Sequence, residues 1–510
     1  MDAHNVPRRD LLVHDLLDAA VSRAPRSAAV RDAAGVWDYH ELDRFSHGVE
    51  AWLDARGVGP GDRVVVQLPT NRALVALFYG VSRRGAVFVP LNPAMKPFHL
   101  ASVLANAEPR LVVAEDEALG AVREAAGSGA SCPVLGFEET WAEIDALTRT
   151  GVRAGPSAAR PEDVAVLIYT SGSTAAPKGV IGPHGAVTFA TGALTTALGY
   201  RADDIVFCRF PMSWDYGLYK VLMTTLVACE IVLESGDSDL VLLRRMHEVG
   251  ATVVPLVPSF ASMIAALAKR SPEHMAPVRL FTNTGAALPQ STIGALRELF
   301  PGARVVRQFG QTECKRISVM PPEEDHERPQ SVGLPLPGTR VLILDEDGRE
   351  VPVGETGEIV AVGPHVMPGY WRAPELSERA FRSDPATGEA RLHTGDYGHV
   401  DADGYLYFEG RRDDMFKRKG IRMSTLEIEA AAMDIPGVRA AGAVPPSGTR
   451  DLAIVVESDM EPRAVLKELA QRLEPQKVPA LCHTVESFPL TAHGKNATQQ
   501  LVLLLEGAAR

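Results

Sequence analysis

From Gly61 onward, short runs of apolar and β-branched residues alternate with segments whose apolar positions recur at helical spacing. The stretch "DRVVVQLP" predicts a buried strand, "NRALVALFYGVSRRG" an amphipathic helix closed at Gly85, and "AVFVPLN" a second strand; "PRLVVAED" predicts a third after a further helical stretch. Repetition of this kind implies parallel sheets covered by helices. "DVAVLIYT" continues the series, and "ATVVPLVP", "VRLFTNTG" and "ARVVRQFG" are three later strands that each end where polar residues begin. Ligands of open α/β sheets bind beyond the carboxyl ends of strands, so the loops after these runs are the candidate site.

The pattern changes after "QSVGLPLPGTRVLILDEDGREVPVGETGEIVAVG", where short strands separated by Asp-Gly and Gly-Glu turns predict antiparallel hairpins and a small barrel-like part. It changes again near "EGRRDDMFKRKGIR". Beyond that lie a helix, "TLEIEAAAMDI", two strands, "VRAAGAVP" and "DLAIVVES", and a helix, "PRAVLKELAQRLE", enough for a small α+β domain. The expected fold class is therefore α/β, with a large N-terminal domain of α/β subdomains plus a β-barrel-like part and a small α+β C-terminal domain.

With 510 residues the chain is too long for one core, which agrees with that division. No apolar run approaches the roughly 20 residues of a membrane-spanning helix, and "MDAHNVPRRDLLVHDLLDAA" lacks the apolar core of a signal peptide, so a cytoplasmic protein with no membrane partner is expected. Five scattered cysteines show no metal-like pairing, which argues against disulfides and structural zinc. A formal net charge of -12 argues against a general nucleic-acid binder.

The strand "DVAVLIYT" feeds the loop "TSGSTAAPKG", rich in backbone amides and hydroxyls and ending on one cation, Lys178. Glycine admits close approach of a ligand, and successive amides with hydroxyls form an anion-binding concavity, for which phosphate is the natural guest. The loop is not a Walker A motif, because Lys178 stands between Pro177 and Gly179. On composition alone, a flexible surface loop accounts for it better.

Its company alters that reading. The loop resembles the signature loop of the adenylate-forming superfamily: acyl-CoA synthetases, nonribosomal peptide synthetase adenylation domains and luciferases. "FGQTE", "GYWRAPELSERAF", "HTGDYGHVDADGYLYFEGRRDDMFKRKGIRMSTLEIE" and "PLTAHGKN" resemble the family's later motifs, in the family's order and across nearly the whole chain. Two departures stand out: Ala175 replaces a usual glycine, and Ala497 and Thr498 replace the usual Asp-Arg after Lys495.

The resemblance implies ATP-dependent attack of a carboxylate on the α-phosphate, with Mg²⁺, followed by transfer of the acyl group to a thiol. Thr170, Ser171, Gly172, Ser173, Thr174 and Lys178 would hold the β- and γ-phosphates. Thr312 would donate to the α-phosphate and Glu313 would ligate Mg²⁺, a hard cation that prefers oxygen. Phe309 would stack on the adenine, Gly285 would belong to the same nucleotide-binding set, and Asp396, supported by Arg411, would accept the ribose hydroxyls. Taken singly, Asp396 is equally a turn residue and Arg411 a surface charge. Lys495 would be the catalytic lysine of a mobile C-terminal domain, residues 412–510, that swings about a hinge at Asp413 against the large domain, residues 1–411.

The acyl pocket implied by the resemblance begins at Asp215, which matches the aspartate that pairs with the substrate amino group in amino-acid-activating members. A carboxylate in an apolar pocket needs a cationic partner, either a substrate ammonium or a side chain such as Lys220. Tyr216, Tyr219, Phe260, Thr282 and Thr284 would line the wall together with Gln308, Arg316 and Ile317. Arg316 suits a second carboxylate, which a guanidinium clamps through two hydrogen bonds, although it could equally neutralise Asp215 or face solvent. The pocket thus resembles freestanding enzymes that activate β-amino acids, 3-methylaspartate among them, for macrolactam polyketides. Few residues follow Lys495, so no fused carrier domain is expected and the thiol would come from a separate carrier protein or CoA. The alternatives are an acyl- or aryl-CoA ligase and a catalytically silent nucleotide-binding protein.

Overall fold

The computed structural model describes all residues except 1–7, 96, 128–131, 154, 171–176, 235–240, 286, 325, 385–386, 412–414, 419–420, 448–449, 474, 476, 490–497 and 509–510. Among the described residues, the apolar runs form two large sheets of mainly parallel strands. The six-stranded sheet has the spatial order Val134–Gly136, Leu111–Ala114, Arg63–Gln67, Val87–Pro90, Val164–Thr170 and Lys178–Pro183. Its last two strands form an antiparallel hairpin whose register sets Thr170 opposite Lys178, at the mouth of the hydroxyl-rich loop. The predicted helix forms as Arg72–Arg83, but it is buried on every side from Ala73 to Arg83 and not amphipathic, and Asn71 caps it by accepting the Leu74 amide at 2.9 Å.

In the nine-stranded sheet, Arg304–Phe309, Leu280–Asn283, Val253–Leu256, Ile205–Cys208, Glu230–Leu233 and Ala28–Asp32 run parallel as neighbours. The strands read from "ATVVPLVP", "VRLFTNTG" and "ARVVRQFG" therefore lie side by side, with their carboxyl ends together. Ala28–Asp32, far away in sequence, completes the sheet beside Glu230–Leu233.

The antiparallel part is a five-stranded sheet built on Gly357–Val362 and Ala390–Val400, with Leu406–Arg411 paired to the latter. Beyond it, Val438–Val444 and Ala453–Ser458 form the expected pair of strands, and Leu481–Val485 adds a third, parallel one that the sequence reading did not include. Ile428, Leu452, Ile454, Val456, Val465 and Leu469 form a separate apolar cluster around this small sheet. None of the described helices is long and apolar enough to cross a membrane.

Helix Asp215–Val227 starts beyond the end of Ile205–Cys208 and carries half of the candidate acid pocket. Its entry is tight: the Trp214 amide donates to Pro211 O at 3.0 Å, and a Cβ on Gly217 would lie 2.3 Å from that carbonyl oxygen and 2.4 Å from Phe210 O. Gly217→Ala is thus expected to lower stability by about 1–3 kcal/mol through overpacking. Urea denaturation measures this loss, and an unchanged midpoint would mean that the 210–211 segment yields freely.

Candidate functional site

Asp215 occupies the first turn of its helix, where a negative charge is favoured by the helix dipole. Its Oδ2 accepts from Lys315 Nζ at 2.8 Å and lies 3.6 Å from Arg316 Nη1. Burial alone would raise the Asp215 carboxyl, but Lys315 and Arg316 outweigh it and hold the group below the ordinary carboxylate range. The partner of Asp215 is therefore Lys315, backed by Arg316, and not Lys220. Lys220 lies five residues along the helix, and its ammonium sits over the rings of Tyr216 and Tyr200.

Lys315 was not singled out by the sequence reading, although it sits beside Arg316 in "TECKR". Its backbone adopts the left-handed region, φ 66°, which is uncommon for a non-glycine residue and turns two successive cations toward one carboxylate. Burial and the adjacent Arg316 drive the Lys315 amine well below the usual lysine range, with Asp215 pulling in the opposite direction. Arg316 Nε donates to Gln308 Oε1 at 3.3 Å and Nη1 to Lys315 O at 2.5 Å.

Tyr216 forms the centre of the group: its hydroxyl donates to Thr282 O at 2.7 Å, and its ring lies 4.8, 5.5 and 5.2 Å from Lys220 Nζ, Lys315 Nζ and Arg316 Cζ. Tyr219 stacks beneath Lys315 Nζ at 4.6 Å. Tyr219 Oη and Gln308 Nε2 are buried without a hydrogen-bond partner, two donors left for a ligand. Thr284 follows Leu280–Asn283 and its amide donates to Leu256 O at 3.3 Å; Gly285 comes next, with φ 88°. Phe260 is buried one layer out, its ring edge-on to Phe210 at 6.4 Å. Ile317 differs from expectation, since its side chain packs with Cys314, Ile343 and Ile359 in the core under the antiparallel sheet.

The nucleotide side is organised by a tyrosine that the sequence reading quoted in "GYW" without giving it a part. Tyr370 bridges to Val180, the Trp371 amide donates to Gly179 O at 2.7 Å, and the Ile181 amide to Gly369 O at 3.0 Å. These bonds fasten the "GYW" segment to the strand that follows the loop. Tyr370 Oη donates to Glu313 Oε1 at 2.7 Å, while Lys178 Nζ lies over its ring at 5.5 Å. Thr312 and Glu313 occupy one half-buried turn, pinned by the Met367 amide donating to Glu313 O at 2.9 Å.

Asp396 is buried and accepts from Arg411 Nε at 3.1 Å across paired strands. Phe309 packs against Phe408, ring centroids 4.9 Å apart. Ser171, Gly172, Ser173, Thr174, Asp413 and Lys495 lie outside the described residues.

Among the described residues, no group of three or more His, Cys, Asp or Glu side chains could enclose a metal ion. The donor chemistry at Glu313 nonetheless fits Mg²⁺. Tyr370 occupies one carboxylate oxygen, and Mg²⁺ usually takes one or two protein carboxylates and completes its shell with water and phosphate.

The half-buried turn thus lies between the Asp215–Lys315–Arg316 cluster and the Lys178–Tyr370–Glu313 array. The AMP-binding enzyme family model matches residues 17–371, and the chain belongs to that family. The crystal structure of VinN aligns over 79% of this chain and 99% of its own, with TM-score 0.74 and 56% identity. VinN has also been solved in complexes with L-aspartate, at 54% identity, and with 3-methylaspartate, at 51%. Novobiocin biosynthesis protein H of Streptomyces niveus is 30% identical over 511 residues, covering 96% of this chain and 82% of that protein. A plipastatin synthase polypeptide of Bacillus subtilis (strain 168) is 27% identical over 493 residues, covering 95% of this chain, and the chain spans 13% of its length.

Lys315→Met would leave the half-buried Asp215 with Arg316 as its nearest cation and is expected to cost about 1–3 kcal/mol, because it breaks a pair of which only Lys315 is fully buried. Asp215→Asn in the same chain should recover most of that loss. A denaturant double-mutant cycle reads the coupling, and strictly additive losses would rule out the pairing.

Proposed function

We propose that the protein adenylates an amino acid bearing a second carboxylate, such as a β-amino or amino-dicarboxylic acid of the 3-methylaspartate type, and passes it to the phosphopantetheine thiol of a separate carrier protein. The observation that carries this reading is the excess of cations over carboxylates at Asp215: Lys315 and Arg316 both address it, and buried donors remain unsatisfied around them. A substrate ammonium can take Asp215 and free Lys315 and Arg316 for the non-reacting carboxylate. That exchange preserves charge pairing in a buried pocket, where unpaired charge is costly. The complexes of VinN with L-aspartate and 3-methylaspartate support a substrate of this class.

In the first half-reaction the other carboxylate attacks the α-phosphorus of ATP, a P–O bond forms, and the bond to the bridging oxygen breaks to release pyrophosphate. Lys178, Thr170 and the loop between them would hold the leaving phosphates, with Lys178 seated over Tyr370. Thr312 would donate to the α-phosphate. Asp396 would accept the ribose hydroxyls while Arg411 holds it in place. Bound at Glu313, Mg²⁺ would offset the triphosphate charge. The array gathers opposite charge around the site of attack before the reaction begins, which is how phosphoryl transfer is accelerated. In the second half-reaction a thiol would attack the acyl carbonyl and AMP would leave. We place Lys495 in the first half-reaction alone, on a domain of residues 412–510 hinged at Asp413.

A second reading is supported by the Lys315–Asp215 bond, which already neutralises Asp215 without an ammonium: the protein would then be an acyl- or aryl-CoA ligase for an acid lacking an amino group.

Substrate-dependent exchange of labelled pyrophosphate into ATP separates the two readings. Exchange should be greatest with amino-dicarboxylic acids, and exchange confined to acids without an amino group would sink the role of Asp215. Arg316→Ala should reduce kcat/KM for a dicarboxylic amino acid by roughly 100-fold, the loss of a charged hydrogen-bonded clamp, and its monocarboxylic analogue far less. An equal effect on both would remove Arg316 from recognition. Lys495→Ala should abolish adenylation yet largely spare thioester formation from a preformed adenylate; equal loss in both half-reactions would refute the domain swing.

A further inference from the structure

The cation around Tyr216 that the reading above leaves unused is Lys220. It is 2% exposed, and its ammonium lies over two aromatic rings. Its closest aromatic faces are Tyr216, at 4.8 Å, and Tyr200, at 5.5 Å. Tyr200 Oη is itself buried and without a partner. Lys220 and Tyr216 are four residues apart on one helix face, so they meet by helix geometry.

Cation–π contact with a desolvated ammonium contributes about 2 kcal/mol. Removing an ion from water costs several kcal/mol, so the two rings cannot by themselves hold Lys220 charged. Lys315 and Arg316 press on the same Tyr216 ring at 5.5 and 5.2 Å, and Asp215 stands among them already engaged by Lys315. The groups facing Lys220 are Cys208 from the neighbouring strand, Tyr200, Tyr216 and Asp215, and Lys315 and Arg316 from the turn after Phe309.

Resting on the proposed function, we propose that Lys220 is a specificity-determining residue: it supplies the third positive charge of a subsite for the substrate's second, non-reacting carboxylate, and takes up a proton from solvent as that carboxylate enters. Burial first, and then Arg316, bring the Lys220 amine in the empty pocket down to about 7, partly offset by Cys208 and Asp215. An entering carboxylate raises it. Above neutral pH the empty protein therefore carries Lys220 neutral and the complex carries it charged, so binding consumes a proton. Below that window Lys220 is protonated in both states and uptake vanishes. Affinity for the second carboxylate falls as pH rises above neutrality.

The test is calorimetric titration of the whole chain with L-aspartate at pH 8 and pH 6, in buffers of different ionisation enthalpy. β-Alanine and L-alanine serve as single-carboxylate controls. L-Aspartate should bring roughly half a proton or more at pH 8, as expected for an amine of depressed pKa that becomes charged. Uptake should be smaller at pH 6 and with either control. Lys220→Met, close in volume and apolar, should remove that increment and weaken L-aspartate at least tenfold more than the controls. The same uptake in Lys220→Met as in the parent, or equal weakening of all three ligands, overturns the inference. Should the variant fail to fold, pH-independent or absent uptake in the parent overturns it alone. If dicarboxylic amino acids neither bind nor support exchange, the substrate reading itself is wrong and takes this inference with it.

Discussion

The short contact between Lys315 and Asp215 constrains the rest of the site. Two ionisable groups withdrawn from water lose several kcal/mol of hydration each, and only close geometry recovers it. That requirement explains local features that are otherwise costly. Lys315 accepts a left-handed backbone conformation, and Gly217 lets its helix begin against the Phe210 and Pro211 carbonyls so that Asp215 projects toward the turn. Around the pair, Tyr216 supplies a polarisable face that three cations share, and its hydroxyl is tied to Thr282 so that the ring is held in place.

The same turn serves two chemistries. From Gly310 to Ile317 the chain carries Thr312 and Glu313, which the proposed function sets at the nucleotide, and Lys315 and Arg316, which it sets at the acid, and the Ile317 amide closes back onto Phe309 O at 2.8 Å. A Cβ on Gly310 would come within 2.5 Å of Arg316 Cα, so the two arms of the turn are in contact. The two pairs are separated by only one residue, Cys314, which is buried with its thiol driven well above the ordinary range by burial. That thiol is a packing element and not a nucleophile. Displacement of the Lys315–Asp215 bond by a substrate acts on the same short segment that presents Glu313.

Sequence reading reached the parallel strands and the motif residues because each is marked locally, by an apolar run or by an ordered cluster of small, hydroxylic and charged residues. It also brought Lys178 and Glu313 into one site, and they do meet, around Tyr370. Other features escaped it for physical reasons. The strand Ala28–Asp32 joins its sheet beside Glu230–Leu233, a pairing across some two hundred residues that no local pattern announces. Lys315 owes its position to one positive φ, which propensity does not predict for lysine. Lys220, named beside a substrate ammonium as a possible partner of Asp215, lies five residues along the helix, and its ammonium sits over Tyr216 and Tyr200.

Tyr370 shows why such a site needs both sheets at once. Its backbone is stitched to Gly179, Val180 and Ile181 of the six-stranded sheet, whereas its hydroxyl holds a carboxylate in the turn that leaves the nine-stranded sheet. Neither sheet alone can place Lys178 opposite Glu313, since one is anchored to each. With the phenol as donor, Glu313 keeps one oxygen oriented and the other open, which is the state a carboxylate must be in to meet a hard cation bound mainly by phosphate and water. The Lys178–Tyr370–Glu313 array is thus assembled by tertiary contact between two sheets, and the Asp215–Lys315 pair by a turn against one helix, with residues 310–317 common to both.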